Sequence, residues 1–215
     1  TAVLQELVAS PYRNMSNFGS YIFQCYQLLM FVAMTKGSYP IWFNVRMTFA
    51  YFCLGALDLL QQLDTVVSQS DREAYTSWVY GQQICMYGSR VNVLASELGG
   101  GFRGSPAACR VRGSVLMTGS YYYDNTALLI LAILRDDFSR LDREALRTHI
   151  SQLQQPDGGM CPTLMKSFAC AQNSPEKDVR FSYCAFAVAY MLHDWSMMDK
   201  KAAIQYLLLY TSDAA

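Results

Sequence analysis

The chain has 215 residues, 52% of them hydrophobic and only 16% charged, with seventeen basic residues against seventeen acidic ones. That length buries a real core in one or two domains, and that composition excludes a disordered tail, a charged linker and a coiled coil. Zero formal charge excludes a nucleic-acid binder that neutralises phosphates; fifteen Tyr, eleven Phe and eleven Met fit an aromatic-lined cavity or an apolar face kept for a partner.

In chain order the elements read as helices. Asn14–Met34 is helical in pattern, Gly37-Ser-Tyr-Pro40 is a turn, and Asn44–Leu63 is a long inner helix. Ser70-Asp-Arg-Glu73 has the form of a capping box opening a helix to about Gln83, and the glycine-rich Gly99–Ser105 follows. A helix from near Gly119 carries the apolar run Ala127–Leu134 and breaks at Asp136-Asp-Phe-Ser-Arg140. That run is far short of the roughly twenty apolar residues of a membrane span. Asp142 caps the next helix, which ends in the turn Gln154-Gln-Pro-Asp-Gly-Gly159; a helix then covers about Asp178–Leu192, and Asp199 caps the last, Lys200–Tyr210.

No secretory signal is visible, and the chain begins at Thr1 without Met, which leaves its true start open. Seven cysteines (Cys25, Cys53, Cys85, Cys109, Cys161, Cys170 and Cys184) form an odd set with no C-x-x-C pair, which argues for reduced, mostly buried thiols in the cytoplasm.

These elements repeat. Each unit is a capped amphipathic helix, then Gln-Gln, then a glycine-rich loop, then a helix apolar nearly all round. Gln82-Gln83 precedes Gly100-Gly101 as Gln154-Gln155 precedes Gly158-Gly159, with the glycine pairs 58 residues apart. Alternating amphipathic and apolar helices predict two concentric layers, an all-α fold of helical hairpins that can close into an α/α toroid. A third glycine-rich loop is due near Tyr210 and does not come, so residues 1–209 read as an incomplete toroid domain and 210–215 as a tail outside the repeat.

The strings Gly101-Phe-Arg-Gly-Ser105, Asp136-Asp-Phe-Ser-Arg140, Leu153-Gln-Gln-Pro-Asp-Gly-Gly159 and Asp178-Val-Arg-Phe-Ser-Tyr-Cys184, in this order and spacing, resemble the β subunits of protein prenyltransferases. The resemblance runs from about Tyr21 to Leu208, matches only the N-terminal half of a family member, and is strongest to type I protein geranylgeranyltransferase. It implies an α/α toroid around an aromatic funnel, transfer of a geranylgeranyl group from its diphosphate to the thiol of a C-terminal C-a-a-X cysteine, and a helical α subunit as heterodimer partner. The protein substrates implied are C-a-a-X proteins such as small GTPases. Zinc is the implied cofactor, with magnesium an open addition, and the resemblance places the zinc ligands and the diphosphate grip in the absent C-terminal half. It therefore assigns no catalytic or metal residue to this chain, and the chain alone is expected to be inactive.

The resemblance also assigns roles residue by residue. Thr48 stands where farnesyltransferase relatives carry Trp; a small side chain leaves room for one more isoprene unit, whereas read from the residue alone it is an ordinary buried threonine. Glu176, Arg180, Tyr183, Cys184 and Ala187 recur at helical spacing. From the residues alone, Glu176 and Arg180 are a solvated ion pair on a first turn. The resemblance instead puts Arg180, Tyr183 and Cys184 on the lipid path, and Glu176 with Arg180 at the peptide carboxylate. Ser120 departs from the pattern, since it occupies the place of a His in that carboxylate site. Arg103 could cradle a phosphate or tie its loop to helix-end carbonyls, and the second reading is preferred. His149 and His193 read as structural. Asp136-Asp137 reads as a helix stop rather than a magnesium site. The alternatives are a farnesyltransferase or type II geranylgeranyltransferase β subunit, and a non-catalytic helical-repeat interaction module. Thr48 counts against farnesyltransferase, and the GFRGS and DDFSR strings against the type II enzyme. A terpene cyclase would need a D-x-D-D acid, which the chain lacks.

Overall fold

A computed structural model describes residues 46–84, 100–104, 121–161 and 178–212. The expected helix at 14–34, the turn at 37–40, Ser120 and Glu176 lie outside these residues. Seven helices stand among them: α1 (Arg46–Leu59), α2 (Leu63–Val66), α3 (Gln69–Tyr80), α4 (Tyr121–Ile133), α5 (Arg143–Leu153), α6 (Val179–Met191) and α7 (Lys200–Ser212). No strand forms among the described residues; two isolated antiparallel bridges, Gln83 to Phe102 and Gln154 to Met160, recur at matching points of the repeat.

The two expected layers are present. α4 packs against α1 on one flank and α6 on the other, with α3 across it. These inner helices are apolar on most sides because they have neighbours on most sides; Leu54, Leu57, Leu128, Leu131, Ala185 and Val188 are fully or almost fully buried. α5 shows the outer pattern: Ala145, Leu146, His149, Ile150 and Leu153 turn inward, while Glu144, Ser151 and Gln152 meet solvent. Burying each large aliphatic side chain contributes about 1.5–3 kcal/mol, so the layer interface carries most of the fold's stability.

Caps set the helix starts. Asp142 accepts the Ala145 N–H at 3.0 Å, and Asp199 accepts the Ala202 N–H at 3.1 Å, both as expected. For α3 the cap is Ser68 rather than Ser70: Ser68 has extended backbone (φ −64, ψ 161), and its hydroxyl accepts the Asp71 N–H at 3.1 Å. The same S-x-x-acid spacing thus operates two residues earlier. Glu73 accepts from the Gln69 side chain instead of reaching back to a cap.

The inner helices share one C-terminal device, which no glycine announces. Gln61, Arg135 and His193 follow α1, α4 and α6 with φ of 57, 61 and 52. Around each, two backbone bonds close a Schellman motif: Gln61 and Gln62 N–H to Asp58 and Leu57 C=O, Arg135 and Asp136 N–H to Ala132 and Leu131 C=O, His193 and Asp194 N–H to Tyr190 and Ala189 C=O. The chain then turns outward. Asp136 accepts the Phe138 N–H and the Tyr80 hydroxyl, and Asp137 accepts the Ser139 N–H, so both carboxylates of the Asp pair serve the turn.

A glutamine clamp joins successive units. The Gln83 amide donates to the Asp142 C=O (2.9 Å) and its oxygen accepts the Asp142 N–H (3.1 Å). Gln154 does the same with Asp199, at 2.9 and 2.7 Å. The second Gln of the first pair therefore corresponds to the first Gln of the other, a one-residue correction to the register read from the sequence. Gln82 is used differently, donating to Trp78 C=O and accepting from Arg103 Nε. Arg103 also donates to Gly81 C=O at 2.9 Å, tying its loop to the end of α3 as preferred.

Candidate functional site

α6 presents two chemically different sides. Its exposed side forms an open groove of about 560 Å³ lined by Tyr183, Phe186, Ala187 and Tyr190, with Trp195 and Leu207 completing the wall. The lining is almost wholly carbon, and Tyr183 is 64% exposed and Tyr190 69%. Volumes of this size are typical of sites for small apolar ligands. The seven-residue step from Tyr183 to Tyr190 marks one helical face in the sequence, yet Tyr190, Phe186 and Trp195 went unassigned there.

Arg180 stands on the first turn of α6, largely exposed, with its guanidinium 2.9 Å from Asp178. Those bonds hold the Asp178 carboxyl below its ordinary range. Cys184 is one residue from Tyr183 and so turns about 100° away from it. It is buried on the side that meets α4, where Asn125 Nδ2 lies 3.9 Å from its sulfur. Burial first, and the Asp124 carboxyl second, push its thiol up to about 11. Cys184 is therefore a neutral thiol at physiological pH, a packing group rather than a nucleophile. Tyr183 and Cys184, expected on one lipid path, look to different sides of α6.

Thr48 sits on α1, partly buried, and its hydroxyl oxygen is enclosed without a hydrogen-bond partner. α4 lies against both α1 and α6, so Thr48 does not line the groove at Tyr183. Besides Asp124 Oδ2, the inner helices hold two further enclosed, unpartnered polar atoms, Asn125 Oδ1 on α4 and Ser182 Oγ on α6. Neither residue was singled out in the sequence, because an isolated Asn or Ser in an apolar helix gives no signal of what it faces.

His193 closes α6, its ring against Tyr190. His149 is wholly enclosed on α5, where Asp124 of α4, a partner no sequence spacing suggests, stands with Oδ2 at 3.4 Å from its Nε2. Burial drives the His149 ring down to about 4 and raises the Asp124 carboxyl well above its ordinary range, the Phe102 N–H bond opposing the latter in part. Among the described residues no three His, Cys, Asp or Glu side chains converge to hold a metal ion, and no helix is long and apolar enough to cross a membrane. The described side chains thus do not fit a zinc site.

Comparison with known proteins agrees with this architecture. The family model for the prenyltransferase alpha-alpha toroid domain matches residues 21–213. The geranylgeranyl transferase type-1 subunit beta of Arabidopsis thaliana is 33% identical over 166 residues, covering 76% of this chain and 41% of the relative. The protein of the same name from Dictyostelium discoideum is 28% identical over 172 residues, covering 75% and 46%. The chain thus spans less than half the length of these relatives. The structure of Candida albicans protein geranylgeranyltransferase-I complexed with GGPP superposes with a TM-score of 0.61 at 18% identity, over 87% of this chain and 50% of that one, a likeness of fold. The layered hairpins, their 58-residue period and a match over most of the length place this chain in the prenyltransferase alpha-alpha toroid family.

Proposed function

We propose that the chain is the N-terminal part of a type I protein geranylgeranyltransferase β subunit, working in a heterodimer with an α subunit on C-a-a-X proteins. The observation that carries this reading is the likeness to geranylgeranyl transferase type-1 β subunits of a plant and an amoeba across three quarters of the chain. In the proposed reaction the sulfur of the substrate cysteine bonds to C1 of geranylgeranyl diphosphate. The C–O bond to diphosphate breaks, the leaving group keeps that electron pair, and the thiol proton goes to solvent.

In that reaction this chain contributes lipid binding and length selection. The apolar groove of α6 supplies aromatic surface from which isoprene units exclude water. Thr48 lies outside that groove, on α1, and its part in length selection, by being small, enters this proposal through the family resemblance alone. Zinc would lower the pKa of the substrate thiol; it enters this proposal, as does magnesium, through the family resemblance alone, and no described residue is assigned to hold either. Arg180 with Glu176, and Ser120 where relatives carry His, would meet the peptide end.

The test is competition between farnesyl and geranylgeranyl diphosphate for the full-length subunit paired with its α subunit, using a peptide ending in Leu. Geranylgeranyl is expected to win, and Thr48→Trp is expected to reverse that preference by about tenfold or more, the scale of one misfitting apolar group. A clear farnesyl preference in the unmodified enzyme overturns the assignment to type I. Zinc-dependent transfer by these 215 residues alone overturns the reading of the chain as a part.

A further inference from the structure

Asp124 and His149 take no part in the proposed reaction, yet both side chains have no exposed surface. One comes from an inner helix and the other from an outer one. Asp124 Oδ1 accepts the Phe102 N–H, whereas Oδ2 and both ring nitrogens make no hydrogen bond, Oδ2 and Nε2 facing each other at 3.4 Å. The Gly101 backbone closes over them so tightly that a Cβ there would stand 2.4 Å from the ring and 2.7 Å from the carboxylate. The charged groups on the surrounding elements are engaged elsewhere. Arg103 reaches Gly81 C=O, Arg147 binds Glu144 and Asp194, Arg180 binds Asp178, and Arg72 and Arg135 bind Asp64. Arg46 is buried at the start of α1, and Cys184 on α6 is a neutral thiol.

An ionised Asp124 beside a neutral imidazole would therefore leave a charge in the interior with no cation among the described residues bonded to it to offset its lost hydration. A proton on the pair removes that charge whichever of the two atoms carries it. We propose that Asp124 and His149 share one dissociable proton as a net-neutral buried pair, which pins α4 to α5 beneath the Gly101 loop and makes formation of this junction, above about pH 6.5, a proton-binding event that weakens as the pH rises further.

The sign follows from each group. Asp124 is raised above its ordinary 3.8, so its contribution is present below that pH and is lost as pH rises toward its folded value; His149 is lowered from 6.5 to about 4, so its contribution is present above 6.5 and lost as pH falls. Between about 4 and 6.5 the folded pair and the unfolded chain each hold one proton, and the two slopes cancel. Above 6.5 the unfolded chain holds none, and stability falls with rising pH until the pair ionises.

The test is urea unfolding of the purified protein from pH 4.5 to 8.5, with Asp124→Asn and His149→Gln alongside. The folding equilibrium constant of the wild type divided by that of Asp124→Asn is expected to fall about tenfold per pH unit from 4.5 upward, because the difference isolates the Asp124 proton. The same ratio against His149→Gln is expected to rise with pH up to 6.5 and then level off. A wild-type to Asp124→Asn ratio independent of pH overturns the proposal. Should either variant fail to fold, the unmodified protein decides at pH 7. A protonated-carboxyl infrared band, or a doubly protonated His149 ring by nitrogen NMR, supports the shared proton, and a neutral ring beside an ionised carboxylate overturns it.

Discussion

The two glycine hinges make the same close approach to the next helix and enclose different contents. In both, a glycine pair lies against the first turn of the next outer helix, closer than any side chain could. A Cβ on Gly100 would stand 2.2 Å from Ala145 C=O, and one on Gly158 would stand 2.1 Å from Ala202 C=O. In both, the glutamine clamp fixes the N-cap aspartate of that helix, and an apolar residue, Phe102 or Met160, is buried after the glycines. The second glycine then faces Asp124 and His149 in one hinge and the Tyr206 ring in the other. Backbone contact defines the repeat, and what fills the space behind the second glycine is free to differ.

The sharpest break comes at the first glycine. Gly158→Ala is expected to destabilise by about 4 kcal/mol, since the methyl meets backbone that cannot swing aside and φ is +89. Gly100→Ala meets the same obstruction without a left-handed φ, and about 3 kcal/mol is expected. Urea midpoints of the two variants check the order. Equal losses would show that the collision alone, and not the backbone conformation, dominates at Gly158.

Much of this hinge was legible in the sequence. The 58-residue spacing of the glycine pairs, the caps Asp142 and Asp199, and the alternation of apolar and amphipathic helices follow from local rules. The clamp register was not legible, because Gly100 lies seventeen residues after Gln83 and Gly158 only four after Gln154, and only pairing in space shows which Gln matches which. The Asp124–His149 contact joins residues 25 apart on two layers, which a helical period does not connect. At the candidate site, Tyr183 stood out by its spacing. Cys184 was grouped with it through the family resemblance, and the 100° turn between neighbouring residues sends the thiol toward α4.

The clamps give the next comparison. Gln83 is buried, so Gln83→Ala leaves the Asp142 N–H and C=O with no replacement partner and should cost about 2 kcal/mol. Gln154 is only partly buried and water can replace its amide, so about 1 kcal/mol is expected for Gln154→Ala. Denaturant unfolding of both variants measures the difference, and a larger loss at Gln154 would mean that the second hinge, not the first, holds the layers together.

The smallest effect should have the opposite sign. Gln61, Arg135 and His193 hold the left-handed position after the inner helices, where a Cβ crowds the following carbonyl and glycine is relieved of that strain. Gln61 is exposed and its side chain makes no hydrogen bond among the described residues, so Gln61→Gly removes strain and little else; the greater freedom of glycine in the unfolded chain offsets part of the gain. A net stabilisation of about 0.5–1 kcal/mol is expected, visible as a shift of the urea midpoint to higher concentration. Arg135→Gly should gain less, because it also removes the 2.8 Å contact with Asp64, an exposed pair that solvent largely screens. His193→Gly loses the ring contact with Tyr190 and should fall near zero. If Gln61→Gly instead destabilises the protein, the left-handed turn after α1 is not strained, and the shared ending of the inner helices reflects how their side chains pack rather than how their backbones close.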